Sequence, residues 1–285
     1  MSLVKESHLQ EIADMLLLNG TLTECPGLVH GKMGIAVFFF HYAQYTNSLL
    51  FADYAMDLFG EMLNQLHVNS PADYENGLAG IGVGFNYLIL KNFLNVEDDI
   101  CGDFDARMVR AVLYDPWQDF SKYNGLVGYG RYWITRLRYQ TPSVQARECL
   151  SYITEKIEEK LADIPAAEQA DVYCFLHDLH QTSAAEICSG LLERCEKWDL
   201  PSAKMSHSFP LLGHTFAGNI ARMYQRSRYF NIDSTNEIDS ALHQIPDLDM
   251  TNPPAHMGLL AGYAGEGLLR LTALNQTYSS WMNLL

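Results

Sequence analysis

HGKMG (30–34), NGLAG (76–80), NGLVG (124–128), HTFAG (214–218) and AGYAG (261–265) are five versions of one glycine phrase. The last glycines, Gly34, Gly80, Gly128, Gly218 and Gly265, are spaced by 46, 48, 90 and 47 residues. The wide gap is close to two periods, which places a degraded copy without glycines around 173–179, in VYCFLHDL. A period near 47 repeated about six times is the signature of a repeat architecture.

Each phrase is followed by a stretch that is apolar almost all round, such as 35–42, 85–93, 129–137 and 220–229. A helix with that pattern is buried on most faces. Between them run amphipathic segments. Ala146, Leu150, Ile153, Ile157 and Leu161 fall three or four apart, with Glu148, Glu155, Glu158 and Glu159 elsewhere on the turn. Leu50, Tyr54, Leu58, Met62 and Leu66 repeat the pattern, as do Ala184, Ile187, Leu191, Cys195 and Trp198. Nothing alternates with a period of two between turn signals, so no sheet is expected. The expected architecture is all-α, one domain over 1–285, with outer amphipathic and inner apolar helices in about six helix-pair repeats. The last repeat is as regular and apolar as the others, which favours closure into an α/α toroid over an open array with polar caps.

In that arrangement the glycines permit positive φ and close backbone approach. The inner-helix N-termini, with free N–H groups and positive dipole ends, converge on one mouth. Asn76 and Asn124, just ahead of their glycines, read as helix N-caps. His30 holds the same place in the first phrase.

The charge balance narrows the partners. Nineteen basic against thirty-four acidic residues give a formal charge of −15, which repels phosphate backbones and anionic surfaces, so no nucleic acid is expected. The longest apolar run, 35–40, is far below the roughly 20 residues of a membrane span. Residues 1–11 lack the basic-then-apolar pattern of a signal peptide, so a cytoplasmic location is expected. Six cysteines without a C-x-x-C pair read as free thiols. Cys188 and Cys195 read as small core residues, and Arg131 as lining a polar cavity, with Arg136 and Arg138 snorkelling to the surface.

The order of phrases is similar to that of the lanthionine synthetase C-like proteins, over most of the chain. That resemblance implies an α/α toroid and an enzyme closing thioether rings by adding a peptide cysteine thiolate to a dehydroamino acid. It implies zinc held by one Cys from one repeat and a Cys-His pair from the next. The family phrase Leu-Cys-His-Gly-x-x-Gly-Asn resembles Leu212 to Asn219, with His214 kept and Gly213 at the cysteine position. Tyr173-Cys174-Phe175-Leu176 resembles the family's aromatic-Cys-x-Gly phrase without its glycine. The resemblance therefore implies Cys174 and His214 as metal ligands, His177 or His180 completing the set, and His30 as the remaining phrase-position histidine for proton transfer, because Asn124 stands where the family has a histidine and cannot transfer a proton. The partner it implies is a peptide, bound by a cyclase or by a non-catalytic scaffold descended from one. A second class shares the ring: α/α-barrel glycosidases, which need two carboxylates at the mouth. Asp73, Glu75 and Glu266 are the candidates.

Overall fold

The computed structural model describes residues 2–95, 102–139, 144–198, 200, 216–245, 256–260 and 262–285. Among them the chain is all-α, and the nearest approach to a strand is a lone bridge between His256 and Gly262. Two units divide the chain, Met1–His67 with Pro210–Leu285, and Val68–Phe209. The first holds α1 (Ser2–Asn19), α2 (Lys32–Thr46), α3 (Leu49–Gln65), and, after the second unit, α10 (Phe216–Phe230), α11 (Thr235–His243), α12 (Tyr263–Leu274) and a 3-10 segment (Gln276–Leu284). The second holds α4 (Leu78–Leu90), α5 (Gly102–Leu113), α6 (Leu126–Tyr139), α7 (Val144–Lys160), α8 (Ala166–His180), a 3-10 turn (Ala185–Ile187) and α9 (Ser189–Cys195). No described helix is long and apolar enough to cross a membrane.

The inner and outer roles follow the sequence pattern. α2 is buried from Lys32 to Ala43, α4 from Leu78 to Leu88 and α12 from Tyr263 to Thr272. α7 buries Ala146, Cys149, Leu150, Ile153, Thr154 and Ile157 along one face and wets the other. α3 buries Ala55, Leu58, Phe59 and Met62, whereas Leu50, read as part of its inner face, is exposed in the first turn. The expected helix over 184–198 is broken instead into the 3-10 turn and the short α9, with Cys188 and Cys195 buried as core residues.

The glycine phrases sit at one place in every copy. Gly34, Gly128, Gly218 and Gly265, like Gly80, occupy the third residue of α2, α6, α10, α12 and α4. The residue that opens each phrase's glycine pair caps its helix in extended backbone: Gly31 has φ −122°, Gly77 −114° and Gly262 −128°. No described glycine has positive φ, so the expectation of left-handed backbone is corrected. What excludes a side chain is crowding by the loop that leads into the helix. A Cβ on Gly31 or Gly77 would lie 2.3 Å from the carbonyl oxygen six residues back, Cys25 or Pro71, and one on Gly128 2.3 Å from that of Lys122.

Those carbonyls are close because the loop folds back to satisfy the helix start. The N–H of Lys32 donates to Cys25 O (2.9 Å), Leu78 to Pro71 O (2.9 Å), Leu126 to Asp119 O (2.9 Å) and Tyr263 to His256 O (3.1 Å). The next N–H groups of α2, α4 and α12, on Met33, Ala79 and Ala264, donate to Pro26, Ala72 and Met257. Two readings are thereby corrected. The first N–H groups are consumed by backbone rather than left facing a cavity, and Asn76 does not cap α4, whose cap is Gly77 with no side-chain bond.

A further glycine two residues on joins neighbouring inner helices. Cβ atoms on Gly82, Gly130 and Gly267 would fall 2.5, 2.3 and 2.3 Å from the rings of Tyr132, Phe175 and Phe38 respectively. Each ring, from another inner helix of the same unit, lies in the notch that its glycine leaves. Burying such a ring contributes about 1.5–3 kcal/mol. Helix ends use asparagine instead: Asn47, Asn92 and Asn231, after α2, α4 and α10, take left-handed φ of 52–57°.

Candidate functional site

The Gly130 notch, filled by Phe175, fixes the register of the degraded repeat. Phe38 follows Gly34 by four residues and Tyr132 follows Gly128 by four, so Phe175 aligns Asp171 with the missing glycine. The degraded phrase thus begins a few residues before the 173–179 assigned to it, and Cys174 lies inside α8, not at its start. Without a glycine loop, α8 offers carboxylates where other repeats offer carbonyls. In the preceding copy Tyr74 and Glu75 donate their N–H groups to Tyr123 O at 2.8 and 3.1 Å. Here Phe120 N–H donates to Glu168 Oε2 (2.9 Å) and Lys122 N–H to Asp171 Oδ2 (2.9 Å).

This substitution brings buried charge to the loop end of the Val68–Phe209 unit. Lys122 is 6% exposed, Asp171 5% and Asp178 7%. Lys122 Nζ lies 5.4 Å from the Tyr123 ring centre, and the Arg131 guanidinium 4.3 Å from that of Tyr74, over its face. Cys174, half-buried, shares the field of Asp171, Lys122, Asp178 and Arg131. Burial, then the nearby Arg131, holds the Lys122 ammonium well below its ordinary range. Burial pushes the Asp171 carboxyl up to about 7 against the pull of the Lys122 N–H, Lys122 and Arg131. Burial and the Asp171 charge push the Cys174 thiol up, so it stays a thiol. Among the described residues, Asp171 Oδ1 and Tyr123 Oη are buried without a hydrogen-bond partner. A buried acceptor or hydroxyl left unsatisfied costs about 1–3 kcal/mol.

The sequence pointed to Cys174 and Arg131 here and missed Lys122, Asp171, Tyr74 and Tyr123. One signal was available: Lys122 occupies the phrase position that Leu28 and Tyr74 fill with buried side chains, and a charge in a core register is a site signature.

The remaining candidates separate. His177 sits half-buried one turn after Cys174, its ring 6.3 Å from that of Tyr173 and its Nδ1 3.5 Å from Gln181 Nε2; His180 is exposed at the end of α8. His214 and Gly213 lie outside the described residues. Among the described residues no three His, Cys, Asp or Glu side chains are grouped to hold a metal. The charged neighbours of Cys174 are the carboxylates of Asp171 and Asp178 and the basic side chains of Lys122 and Arg131.

His30, in the other unit, is half-buried before α2, its ring centre 5.0 Å from that of His256. Glu266, buried in α12, takes a 2.7 Å ion pair from Arg270 one turn on. Glu75 accepts from Asn124 Nδ2 at 3.0 Å, and Asp73 accepts from the Asn76 N–H at 2.7 Å. Asn124 therefore orients a carboxylate, and Glu266 is neutralised by a fixed partner.

Arg136 is corrected. It does not reach the surface but is 4% exposed and bidentate to Asp105, with Nε to Oδ1 at 3.0 Å and Nη2 to Oδ2 at 2.5 Å. Tyr132 Oη donates to the same carboxylate. Arg138 does reach solvent, donating to Asp178 O at 3.1 Å.

No protein-family model and no curated protein matches this chain.

Proposed function

We propose that the chain is a lanthionine synthetase C-like relative, a single α/α toroid, that binds a peptide through the polar cluster of Lys122, Tyr123, Arg131, Asp171 and Cys174, without a resident zinc. The observation that carries the reading is the pair of orphaned atoms. Asp171 Oδ1 needs a donor and Tyr123 Oη an acceptor, and a peptide unit carries both, an N–H and a C=O, at fixed spacing. The repeated phrase, the paired inner and outer helices and the regular last repeat support the toroid. The positive charge that zinc provides in the resembled family is supplied by Arg131, which attracts acidic side chains or a peptide carboxylate. A protonated Cys174 is no metal ligand, so the reading favours a peptide-binding scaffold over a cyclase.

Two measurements on the purified chain test it. Binding of fluorescent peptides rich in Cys, Ser and Thr is expected to weaken about tenfold in Asp171→Asn and in Tyr123→Phe, the worth of one hydrogen bond each. Absence of peptide binding up to about millimolar concentration, or binding indifferent to both substitutions, refutes the peptide reading. Metal content by plasma mass spectrometry is expected to show no stoichiometric zinc in wild type, Cys174→Ala or His214→Ala. About one zinc per chain, lost in both variants, restores the cyclase reading.

A further inference from the structure

His30 and His256 come from loops 226 residues apart in sequence, and the fold sets their rings 5.0 Å apart between centres at 48°. Both loops are tied by main-chain contacts at that point. Leu260 N–H donates to Val29 O at 3.1 Å, next to His30, and the C=O of His256 accepts the first N–H of α12 from Tyr263. Gly258 lies so close that a Cβ there would be 2.5 Å from His30 Cα. The backbones that carry the two imidazoles are therefore brought together by main-chain contacts.

We propose that His30 and His256 form a two-imidazole site for a late transition-metal dication, with water completing the coordination. Imidazole nitrogens ligate such ions at about 2.0–2.1 Å, and two rings bound to one ion near the tetrahedral angle have centres about 5 Å apart by that bond length. The observed separation of ring centres matches this. His256 is exposed, so an ion has access. The formal charge of −15 draws dications to the chain. Imidazole ligands and the general order of affinities rank copper(II) above nickel(II) and zinc(II). Neither histidine belongs to the unit that holds Cys174, so the proposal does not rest on peptide binding there.

The full chain, stripped with a chelator, is titrated with Cu2+ and then with Zn2+ at neutral pH against a competing chromophoric chelator. Wild type is expected to hold one Cu2+ with a micromolar dissociation constant and to show two nitrogen ligands in its electron paramagnetic resonance spectrum. The chain has ten histidines, so the decisive reading is the difference between variants. His256→Ala, whose side chain is exposed, is expected to weaken this site at least tenfold, as is His30→Asn. His180→Ala and Cys174→Ala are expected to leave it unchanged. A wild type that binds no copper below about millimolar concentration, a His256→Ala variant with unaltered affinity, or equal loss in His180→Ala overturns the proposal.

Discussion

Replacing Gly77 by alanine tests the account of the glycine phrases most directly. The new methyl would stand 2.3 Å from Pro71 O, 2.6 Å from Pro71 C and 2.8 Å from Asp73 N, all of them backbone. No side chain can rotate away, so the loop must move by about an ångström to restore van der Waals distance. That movement breaks the bonds from Leu78 N–H and Ala79 N–H to Pro71 O and Ala72 O. Overpacking costs about 1–3 kcal/mol and each lost bond about 0.5–1.5 kcal/mol. A destabilisation of about 2–6 kcal/mol follows, or a Tm lower by about 5–15 °C for a chain of this size. Gly60 is the control, since it lies inside α3 with nothing within 4 Å of a Cβ. Gly60→Ala is expected to stabilise by about 0.5–1 kcal/mol through helix propensity alone. Thermal unfolding followed by far-UV circular dichroism measures both. Shifts of the same sign, or a Gly77→Ala variant within about 1 °C of wild type, would refute the crowded-loop explanation.

Asp105→Ala leaves Arg136 buried without its bidentate partner and is expected to cost about 3–5 kcal/mol, whereas Asp105→Ala with Arg136→Met recovers much of the loss; equal denaturant midpoints for the two would contradict a buried ion pair. Asp171 has a folded pKa of about 7, raised above its ordinary value of 3.8, so the folded state binds its proton more tightly. Its stabilising contribution is therefore fully present below about pH 4 and lost as pH rises toward 7 and above. Asp171→Asn is expected to flatten this part of the stability profile relative to wild type, and an unchanged slope argues against the raised value. With its thiol held protonated, Cys174 is expected to react with iodoacetamide at mildly alkaline pH far more slowly than it does in the denatured chain, as read by peptide mass spectrometry; matching rates would remove the buried cluster from consideration.

The inner and outer helices were legible because burial leaves a periodic trace. Ala146, Leu150, Ile153 and Ile157 return to one face by spacing alone, and 35–42 is apolar on every face. The positions of the helix starts were equally plain, since the glycine phrase marks the third residue of each inner helix that carries it. The reason for the glycines was not. Positive φ and close approach leave the same residue in a sequence, and only the loop carbonyls of Cys25, Pro71 and Lys122 decide for crowding. Arg136 was misplaced for a similar reason: spacing shows a cation near a helix end but not the carboxylate of Asp105 waiting on α5.

What the sequence determined by itself, then, is what depends on local period and composition: an all-α chain, the phase of its repeats, and the helix faces that meet water. What the tertiary structure decided is everything set by pairs distant along the chain. The Phe175 ring in the Gly130 notch fixed the register of the degraded repeat, the carboxylates of Glu168 and Asp171 replaced a missing loop, and His30 met His256. Such pairings leave no periodic trace, because the energy that selects them is contact and electrostatics between segments, not the turn of one helix.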